Sequence, residues 1–454
     1  MNENEKFDLV VIGAGTGGGG VLYPCAKAGW KVAIVDSLPY GGTCALRGCE
    51  PKKMLVAVTE GIDWSDRMSG NGLQSDNMSI DWAKMIAFKR TFTDGIPKRL
   101  EHGFEKLGVV SLHDTARFIA PGVVQVGDRE LHAKYFHIAT GARPMTLDIL
   151  GEELLTTSTE FLELESTPSR VVFVGGGYIA FEFAHIARRA GASEVTILQR
   201  GKHPLVQFDP DLVDLLVERS QELGIDIHRE SSVDKIVKDG DDLHVEFATP
   251  QGRGTIVCDL VVHGAGRVPN IDTLDLDEAG VEVGSRGIQV NEFMRSVSNP
   301  AVFAVGDCAD TGAPNLTPVS AIEARIAAKN LLAGKDTRRM EYPPIPSVVF
   351  TLPALARVGL LEEEARQQGI EFDVNFQKTG GRYSSMRVGE RYSAHKVLVE
   401  KGTGRIVGAH LMGPGAEEQI NLFSIAMGAG LSGNQLKAVI FAFPSYGSDL
   451  KSMV

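Results

Sequence analysis

The first part of the chain alternates apolar runs with glycine-rich turns and helix-like stretches. The apolar run from Phe7 to Ile12 leads into several glycines, a helix-like stretch follows as far as Ala28, and a second apolar run, "KVAIVD", comes next. Strands buried in parallel sheets have such continuous apolar runs, and a helix usually connects one strand to the next. The pattern therefore predicts an α/β sheet at the start of the chain.

The glycines after the first strand, Gly13, Gly15 and Gly18, have the spacing of a dinucleotide-binding loop. In such a loop the glycines permit a tight turn, let the backbone reach a pyrophosphate and bring the helix close to the strand. Asp36 ends the second strand, where a carboxylate can bind a ribose hydroxyl. Strand, loop, helix and terminal acid together predict a bound dinucleotide.

The same arrangement recurs farther along the chain. A strand from Arg170 to Val174 precedes Gly175 and Gly177, so the sequence predicts a second nucleotide. The strand after this helix ends in Gln199 and Arg200 instead of an acid, and two more basic residues follow closely. Cations suit a 2′-phosphate, whereas a carboxylate suits a free 2′-hydroxyl. The pattern favours NADPH over NADH, with a solvated basic loop as the alternative interpretation.

The later part of the chain continues the α/β pattern and then changes. Asp307 follows the strand in "AVFAVGDCA", where its carboxylate could hold a polyol chain or could cap the next helix. From about Pro343, "VVFTLPALARVG", "HKVLVE" and "RIVGAHLMG" indicate antiparallel strands. Two helix-like runs, Glu417 to Gly430 and Asn434 to Ile440, come after them. This order of antiparallel strands followed by helices predicts a separate α+β domain at the C-terminus.

Length and charge narrow the functional classes. A chain of 454 residues is too long for one core, and two to four domains are expected. Basic minus acidic residues gives 46 − 58 = −12, and no basic block is present, so nucleic-acid and membrane-surface binding are disfavoured. No apolar run approaches the ~20 residues of a spanning helix, and the N-terminus lacks a signal-peptide pattern. A cytoplasmic protein is expected.

Two of the five cysteines, Cys44 and Cys49, lie close together in "GGTCALRGCEPKK". Cys25, Cys258 and Cys308 have apolar or small neighbours and are predicted to be buried. In a reducing compartment a close pair is more often catalytic or metal-binding than structural. Zinc needs about four ligands, and no histidine or second cysteine pair is near, so no metal site is expected. Spacing alone leaves coincidence, a redox pair or half of a remote metal site.

Together these motifs resemble the class I pyridine nucleotide-disulfide oxidoreductases, the family of glutathione reductase, dihydrolipoamide dehydrogenase and mercuric reductase. "GGTCALRGCEPKK" is similar to the redox-active motif, and "ATGARP", "GRVPN", "AVGDC" and "LTPVSAIEAR" are similar to other signatures of the family. The resemblance implies two Rossmann-like domains and a C-terminal α+β dimerisation domain. The implied boundaries are 1–145 and 266–338 for FAD, 146–265 for NAD(P) and 339–454 for the dimer interface.

The resemblance also implies an activity. Electrons would pass from NADPH, or possibly NADH, through FAD to a Cys44–Cys49 disulfide, and then to a small-molecule or small-protein disulfide or another electrophile. Cys49 would face the flavin as the charge-transfer thiolate, and Cys44 would face the substrate. Lys52 or Lys53 would pair with Glu182 beside the flavin, and relatives differ over which lysine does so. The enzyme would be a homodimer.

Further residues match the family's cofactor contacts. In the FAD region the resemblance implies Gly13, Gly15, Gly18, Asp36, Gly42, Thr43, Ala116, Thr140, Gly141, Arg267, Asp307 and Thr317. In the nicotinamide region it implies Gly175, Gly177, Tyr178 and Arg200, with Tyr178 covering the pocket.

The spacing of the cysteines sets a geometric condition on the disulfide. Residues five apart in a regular helix rise by about 7.5 Å, beyond the ~7 Å limit for a disulfide. Cys44 and Cys49 can therefore bond only where the helix start is distorted, and Gly48 would assist this distortion.

The C-terminal motif departs from the family. Relatives carry a histidine and a glutamate that act as acid–base for the substrate thiols, but in "FAFPSYGSDL" Phe443 stands at the histidine and Ser448 at the glutamate. Asp449 could substitute only if the backbone slipped by one residue, and none of the 11 histidines lies beyond His410. Mercury reduction is disfavoured because "KSMV" ends the chain without a cysteine pair.

Several acceptors therefore stay open. One is an atypical disulfide or electrophile that reacts at Cys44. Another is a quinone or similar acceptor reduced at the level of the flavin, as in a diaphorase. A third possibility is glutathione reductase or dihydrolipoamide dehydrogenase activity with an unrecognised acid–base.

Overall fold

The computed structural model describes residues 6–74 and 78–454. The strands in this part of the chain are β1 Lys6–Ile12, β2 Val32–Val35, β3 Val110–Leu112, β4 Ala116–Ala120, β5 Val123–Val126, β6 Arg129–Ile138, β7 Ala142–Pro144, β8 Arg170–Val174, β9 Glu194–Leu198, β10 Ile225–His228, β11 Ser232–Asp239, β12 Asp242–Thr249, β13 Gly252–Cys258, β14 Leu260–His263, β15 Arg267–Pro269, β16 Val283–Gly284, β17 Gly287–Gln289, β18 Val302–Ala304, β19 Ala309–Asp310, β20 Ser347–Val349, β21 Ala354–Gly359, β22 Phe372–Lys378, β23 Ala394–Glu400 and β24 Ile406–Gly413.

The α-helices of the same residues are α1 Thr16–Lys27, α2 Gly42–Arg47, α3 Cys49–Met68, α4 Trp82–Thr93, α5 Ile96–Lys106, α6 Ser158–Phe161, α7 Tyr178–Arg189, α8 Pro210–Glu222, α9 Thr317–Ala333, α10 Glu362–Gln367, α11 Tyr383–Met386, α12 Ala416–Gly428, α13 Gly433–Ala438 and α14 Leu450–Met453. Among them there is no helix with the length and apolar composition that crossing a bilayer would require.

Among the described residues, one compact unit is formed by 6–52, 87–145 and 267–342. Its main sheet has the order β3-β2-β1-β6-β5-β4, and β18 also pairs with β6. The strands β3, β2, β1, β6 and β18 are parallel, and β1 is apolar and buried because the sheet lies between layers. α1 packs so closely on α9 that a Cβ at Gly20 would lie 2.6 Å from Cβ of Ala324.

The second unit contains the described residues 53–74, 78–86, 146–266 and 343–454. Its parallel sheet has the order β10-β9-β8-β14, and an antiparallel sheet β11-β12-β13 is inserted in the chain between β10 and β14. The two parallel sheets, one in each unit, confirm the predicted pair of Rossmann-like folds.

The C-terminal part of the second unit is an antiparallel sheet of order β20-β21-β24-β23-β22. Ile420 and Phe423 of α12 belong to the same buried core as Val358 and Leu411 of the sheet. This confirms the predicted α+β domain. The sequence analysis missed β22, since most of its residues are exposed or half-buried and form no continuous apolar run.

Candidate active site

The redox segment is divided between two helices. α2 ends at Arg47, α3 begins at Cys49, and Gly48 between them has φ −149° and ψ −113°, which is not helical. Cys44 therefore lies on one helix and Cys49 on the next, which is the interruption that the disulfide requires. The two thiols are not bonded to each other in this structure, and Cys49 is the more exposed. Cys25, Cys258 and Cys308 are buried as predicted.

The neighbours of the cysteine pair set its acidity. A hydrogen bond to Cys49, together with burial, raises the pKa of the Cys44 thiol, and the charge of Glu50 acts in the same direction. Thr317 opposes this shift, and its Oγ1 lies 3.8 Å from Sγ of Cys49. The fold thus brings the predicted Thr317, at the start of α9, to the cysteines. Because the thiolate is the nucleophile, Cys44 needs a partner charge to react at neutral pH.

The first dinucleotide loop contacts the redox segment directly. Gly42 has φ +70°, and a Cβ there would lie 2.5 Å from Cα of Gly15, so only glycine fits. In the same loop the Ala14 N–H donates to Oδ2 of Asp36 at 2.8 Å. α1 begins at its N-cap Gly15 without a side-chain cap and without an acid in the first turn. Its first N–H groups can therefore bind a pyrophosphate.

The second loop repeats this design with one substitution. The Gly176 N–H donates to Oε1 of Gln199 at 2.8 Å, as Ala14 does to Asp36 in the first loop. α7 also begins without a side-chain cap or an acid in its first turn, at Gly177. Arg200 is exposed beyond the strand end, and Tyr178 is half exposed. An uncharged amide with adjacent cations stands where the first fold has a carboxylate.

The loops after β6 and β18 add polar groups to the first unit. Oγ1 of Thr140 is buried, and the Thr140 side chain interacts with the thiol of Cys308. Asp307 lies in the 3₁₀ turn Gly306–Cys308 and not at the start of α9, so the interpretation as a helix cap is wrong. Burial raises the pKa of Asp307, and the charge of Arg267 opposes the shift.

The remaining predicted FAD residues occupy varied positions. A Cβ at Gly13 would lie 2.3 Å from the carbonyl oxygen of Ala139, which confirms a close approach there, and a Cβ at Gly18 would overlap the carbonyl oxygen of Gly13. Gly141 has φ +70° and faces open space. Thr43 is exposed, whereas Ala116 is buried at the start of β4.

The two lysines after the cysteines differ in their surroundings. Lys52 is buried. Lys53 lies 3.0 Å from Oε1 of Glu60 and 4.7 Å from the ring centroid of Phe350. Oε1 of the buried Glu182 accepts a hydrogen bond from the Phe350 N–H at 2.7 Å. The lysine that faces the flavin stays a prediction.

An open cleft of about 740 Å³ adjoins the redox segment, and the sequence analysis did not identify it. Ala45 and Glu50, which flank the cysteines along the chain, belong to its lining. Its other lining residues include Tyr23, Phe92, Ile96, Arg99 and Arg325. The cleft thus offers apolar walls and charges of both signs next to the residues that carry the thiols.

The C-terminal segment has no acid–base group at the expected position. The Phe443 side chain is 84% exposed. Ser448 is engaged locally, since its Oγ donates to the carbonyl of Ser445 at 2.6 Å. Asp449 closes this turn and lines a small internal cavity, so it does not take the position of Phe443.

The same cavity, of about 30 Å³, is also lined by His395 and Tyr446. His395 is buried, and neither of its ring nitrogens has a hydrogen-bond partner within residues 6–74 and 78–454. Burial, with a smaller effect of Arg382, lowers the pKa of His395 to about 4. This imidazole is far from the segment in sequence and was therefore missed, but its enclosure separates it from an external substrate.

Comparison with known proteins relates this geometry to a family. Residues 7–324 match the family described as pyridine nucleotide-disulphide oxidoreductase, and residues 345–454 match its dimerisation domain. A glutathione reductase of Nostoc sp. is 32% identical, with 98% of this chain and 99% of that protein covered. A mercuric reductase of Staphylococcus aureus is 30% identical, with 95% and 79% covered.

A similar solved structure is the Cu(II) complex of the HOCl-induced flavoprotein disulfide reductase RclA from Escherichia coli. It has a TM-score of 0.88 and 28% sequence identity, and 100% of this chain and 99% of that chain are covered. Sequence and fold agree with the redox segment and the two dinucleotide loops. The chain therefore belongs to the pyridine nucleotide-disulphide oxidoreductase family and is an FAD-dependent enzyme that uses a nicotinamide nucleotide.

Proposed function

We propose that the enzyme delivers electrons from NADPH, through FAD and the Cys44–Cys49 pair, to an acceptor that takes no proton from the C-terminal segment. Copper(II) is the acceptor that we favour. The observation that carries the proposal is the exposed Phe443 at the position of the family's acid–base. The residues that the family resemblance implies for FAD, for the nicotinamide nucleotide and for the cysteine pair are otherwise present in the chain.

The residues that would bind FAD and carry electrons to the cysteine pair have separate roles. Bound FAD supplies the chemistry that turns a hydride from NADPH into two electrons for the disulfide. The N–H groups at the start of α1, which no side chain caps, would hold its pyrophosphate, Asp36 would bind the ribose, and Asp307 would bind the polyol chain. Lys52, the buried lysine of the pair, takes the position beside the flavin, since Lys53 pairs with Glu60.

NADPH is favoured by the end of β9. Gln199 receives the Gly176 N–H without bringing a negative charge, and the exposed Arg200 follows it. A cation at this place attracts a 2′-phosphate, whereas a carboxylate would repel it.

The acceptor follows from proton and electron balance. Reducing a disulfide expels a thiolate with a pKa of about 8.5, and an acid that protonates it contributes roughly 10²–10⁴ in rate. Two Cu(II) ions instead take one electron each, while the Cys44 and Cys49 thiols lose two electrons and two protons and form a disulfide. The protons leave to solvent, and no leaving group needs an acid. Thiolate sulfur is also a preferred ligand of Cu(I).

A rapid-mixing experiment tests the proposal. The enzyme is reduced anaerobically with one equivalent of NADPH and mixed with Cu(II) and a Cu(I)-specific chromophoric chelator, or with glutathione disulfide, or with a quinone. We expect fast Cu(I) formation, slow reaction with glutathione disulfide, and loss of Cu(I) formation in Cys44→Ser although NADPH still bleaches the flavin. Undiminished Cu(I) formation in Cys44→Ser would place the exit of electrons at the flavin. Efficient turnover of glutathione disulfide would also contradict the proposal.

A further inference from the structure

A buried glutamate on α9, Glu323, is bonded to the turn that carries Asp307. Its Oε2 accepts a hydrogen bond from the Gly306 N–H at 2.8 Å, and its Oε1 accepts one from the Tyr342 hydroxyl at 2.7 Å. The side chain of Glu323 is 0% exposed. A buried carboxylate is costly unless donors of this kind satisfy it. An apolar side chain would be enough to pack α9 at this position, so packing alone does not explain the carboxylate of Glu323.

The turn is short, and the bond to Glu323 is the side-chain bond described for its first N–H group. Gly306–Cys308 is a single 3₁₀ turn, and turns of this type have weak internal hydrogen bonds. Gly306 has φ +70°, and a Cβ there would lie 2.7 Å from Oγ of Ser320 on α9. The bond from Glu323 therefore fixes the N–H group directly before Asp307.

We infer that Glu323 is a positioning residue for FAD. It holds the Gly306 amide so that the Asp307 carboxylate meets the polyol chain of the cofactor, and Tyr342 in turn holds Glu323. The inference rests on the role proposed for Asp307. Thr317, at the start of the same helix, lies at the cysteine pair, so α9 connects the cofactor contact with the redox contact.

The test measures FAD dissociation constants of the apoprotein by flavin fluorescence. We expect Asp307→Asn and Glu323→Ala each to weaken FAD binding about tenfold or more, and the double variant to be little weaker than the worse single variant. Tyr342→Phe should weaken binding two- to fivefold. Glu323→Gln should stay within threefold, because the amide oxygen still accepts from Gly306 and the Tyr342 hydroxyl can accept from the amide group.

A matched control is Asn330→Ala, which removes another buried polar side chain of α9 that bonds the backbone of Phe293 and Arg338. It should leave FAD affinity within twofold. If Asp307→Asn binds FAD normally, both the role of Asp307 and the inference fail. If only Asp307→Asn weakens binding, or if the two losses add fully, the inference alone is overturned. Should Glu323→Ala not fold, wild-type affinity in Tyr342→Phe overturns it.

Discussion

The redox segment and the C-terminal segment differ in how tightly their surroundings constrain them. Gly42 of the redox segment touches the dinucleotide loop at Gly15, and Cys49 contacts the hydroxyl of Thr317. In the C-terminal segment, by contrast, Phe443 is 84% exposed and Ser448 bonds only within its own turn among the contacts described. The redox segment thus depends on closely packed backbone, whereas the C-terminal segment carries an exposed side chain that can be exchanged.

With the C-terminal segment at the acceptor, as proposed, this difference indicates where a substitution can change the acceptor. A residue whose Cβ would overlap backbone cannot be replaced without loss of the fold around the cofactor. An exposed residue such as Phe443 of the C-terminal segment can be replaced at little structural cost. We therefore expect substitutions to affect the two segments in opposite ways, and the following experiments test that expectation.

The largest effect is expected for Gly42→Ala. The new Cβ would lie 2.5 Å from Cα of Gly15, so the two loops must separate. We expect FAD content after purification to fall below a tenth of wild type and NADPH-dependent activity to fall more than 10²-fold. Gly61→Ala on α3 is the control, since no atom of the described residues outside the backbone of α3 itself lies within 4 Å of its Cβ position. A yellow, active Gly42→Ala variant would show that the packing is not restrictive.

The second largest effect is expected for the double variant Phe443→His/Ser448→Glu. Restoring the acid–base pair should raise the rate of glutathione disulfide reduction about 10–10²-fold, because an imidazolium can protonate the leaving thiolate. Copper(II) reduction should change less than twofold. Each single variant serves as a control for the pair. An equal gain with both acceptors would mean that the segment controls access and not protonation.

Arg200→Glu should have a smaller effect, on nucleotide choice alone. A carboxylate beyond β9 repels the 2′-phosphate, so the ratio of kcat/KM for NADPH over NADH should fall about 10-fold or more. The exposed Arg253 of the same domain provides the control Arg253→Glu, which should leave the ratio unchanged. A wild-type enzyme that prefers NADH would contradict the assignment.

The smallest effect on turnover is expected for His395→Gln. His395 is neutral in the folded protein down to a pKa of about 4, whereas an unfolded histidine titrates near 6.5. The unfolded chain binds more protons between these values, so this residue lowers stability as pH falls from about 6.5 to 4, by up to ~1.4 kcal/mol per pH unit.

The measurement for His395→Gln is the urea midpoint as a function of pH, together with turnover. We expect a flatter pH dependence below about 6.5 and activity within twofold of wild type. The exposed His102 gives the control His102→Gln. A large loss of disulfide reductase activity in His395→Gln would identify His395 as the unrecognised acid–base of the output side.

The sequence predicted the parts of the site that depend on local chemistry. Glycine spacing, strand ends and the cysteine pair are contiguous signals, and the structure contains both dinucleotide loops and the helix break at Gly48. The α+β domain was also predicted, because its strands β21, β23 and β24 are continuous apolar runs.

The sequence could not predict the contacts that join distant segments. In the sequence, nothing distinguishes Glu323 from other helix residues. Only the fold places it against Gly306. His395 lies on a strand far from Tyr446, and only packing gives them a common cavity. Asp307 allowed two interpretations, a ligand of a polyol chain or a helix cap, because a carboxylate after a strand suits both, and only the start of α9 at Thr317 excludes the cap.

The discontinuous make-up of the first unit has a consequence for biosynthesis. Its sheet includes β18, and it also includes the turn Gly306–Cys308, yet both are translated after the whole of residues 146–266. The ribosome therefore completes residues 146–266 while the first unit still lacks a strand. Domains usually fold in order from the N-terminus during synthesis, but here the first unit can be completed only after residues 146–266 have emerged, and with the proposed role of Asp307 the flavin would be captured at that later stage.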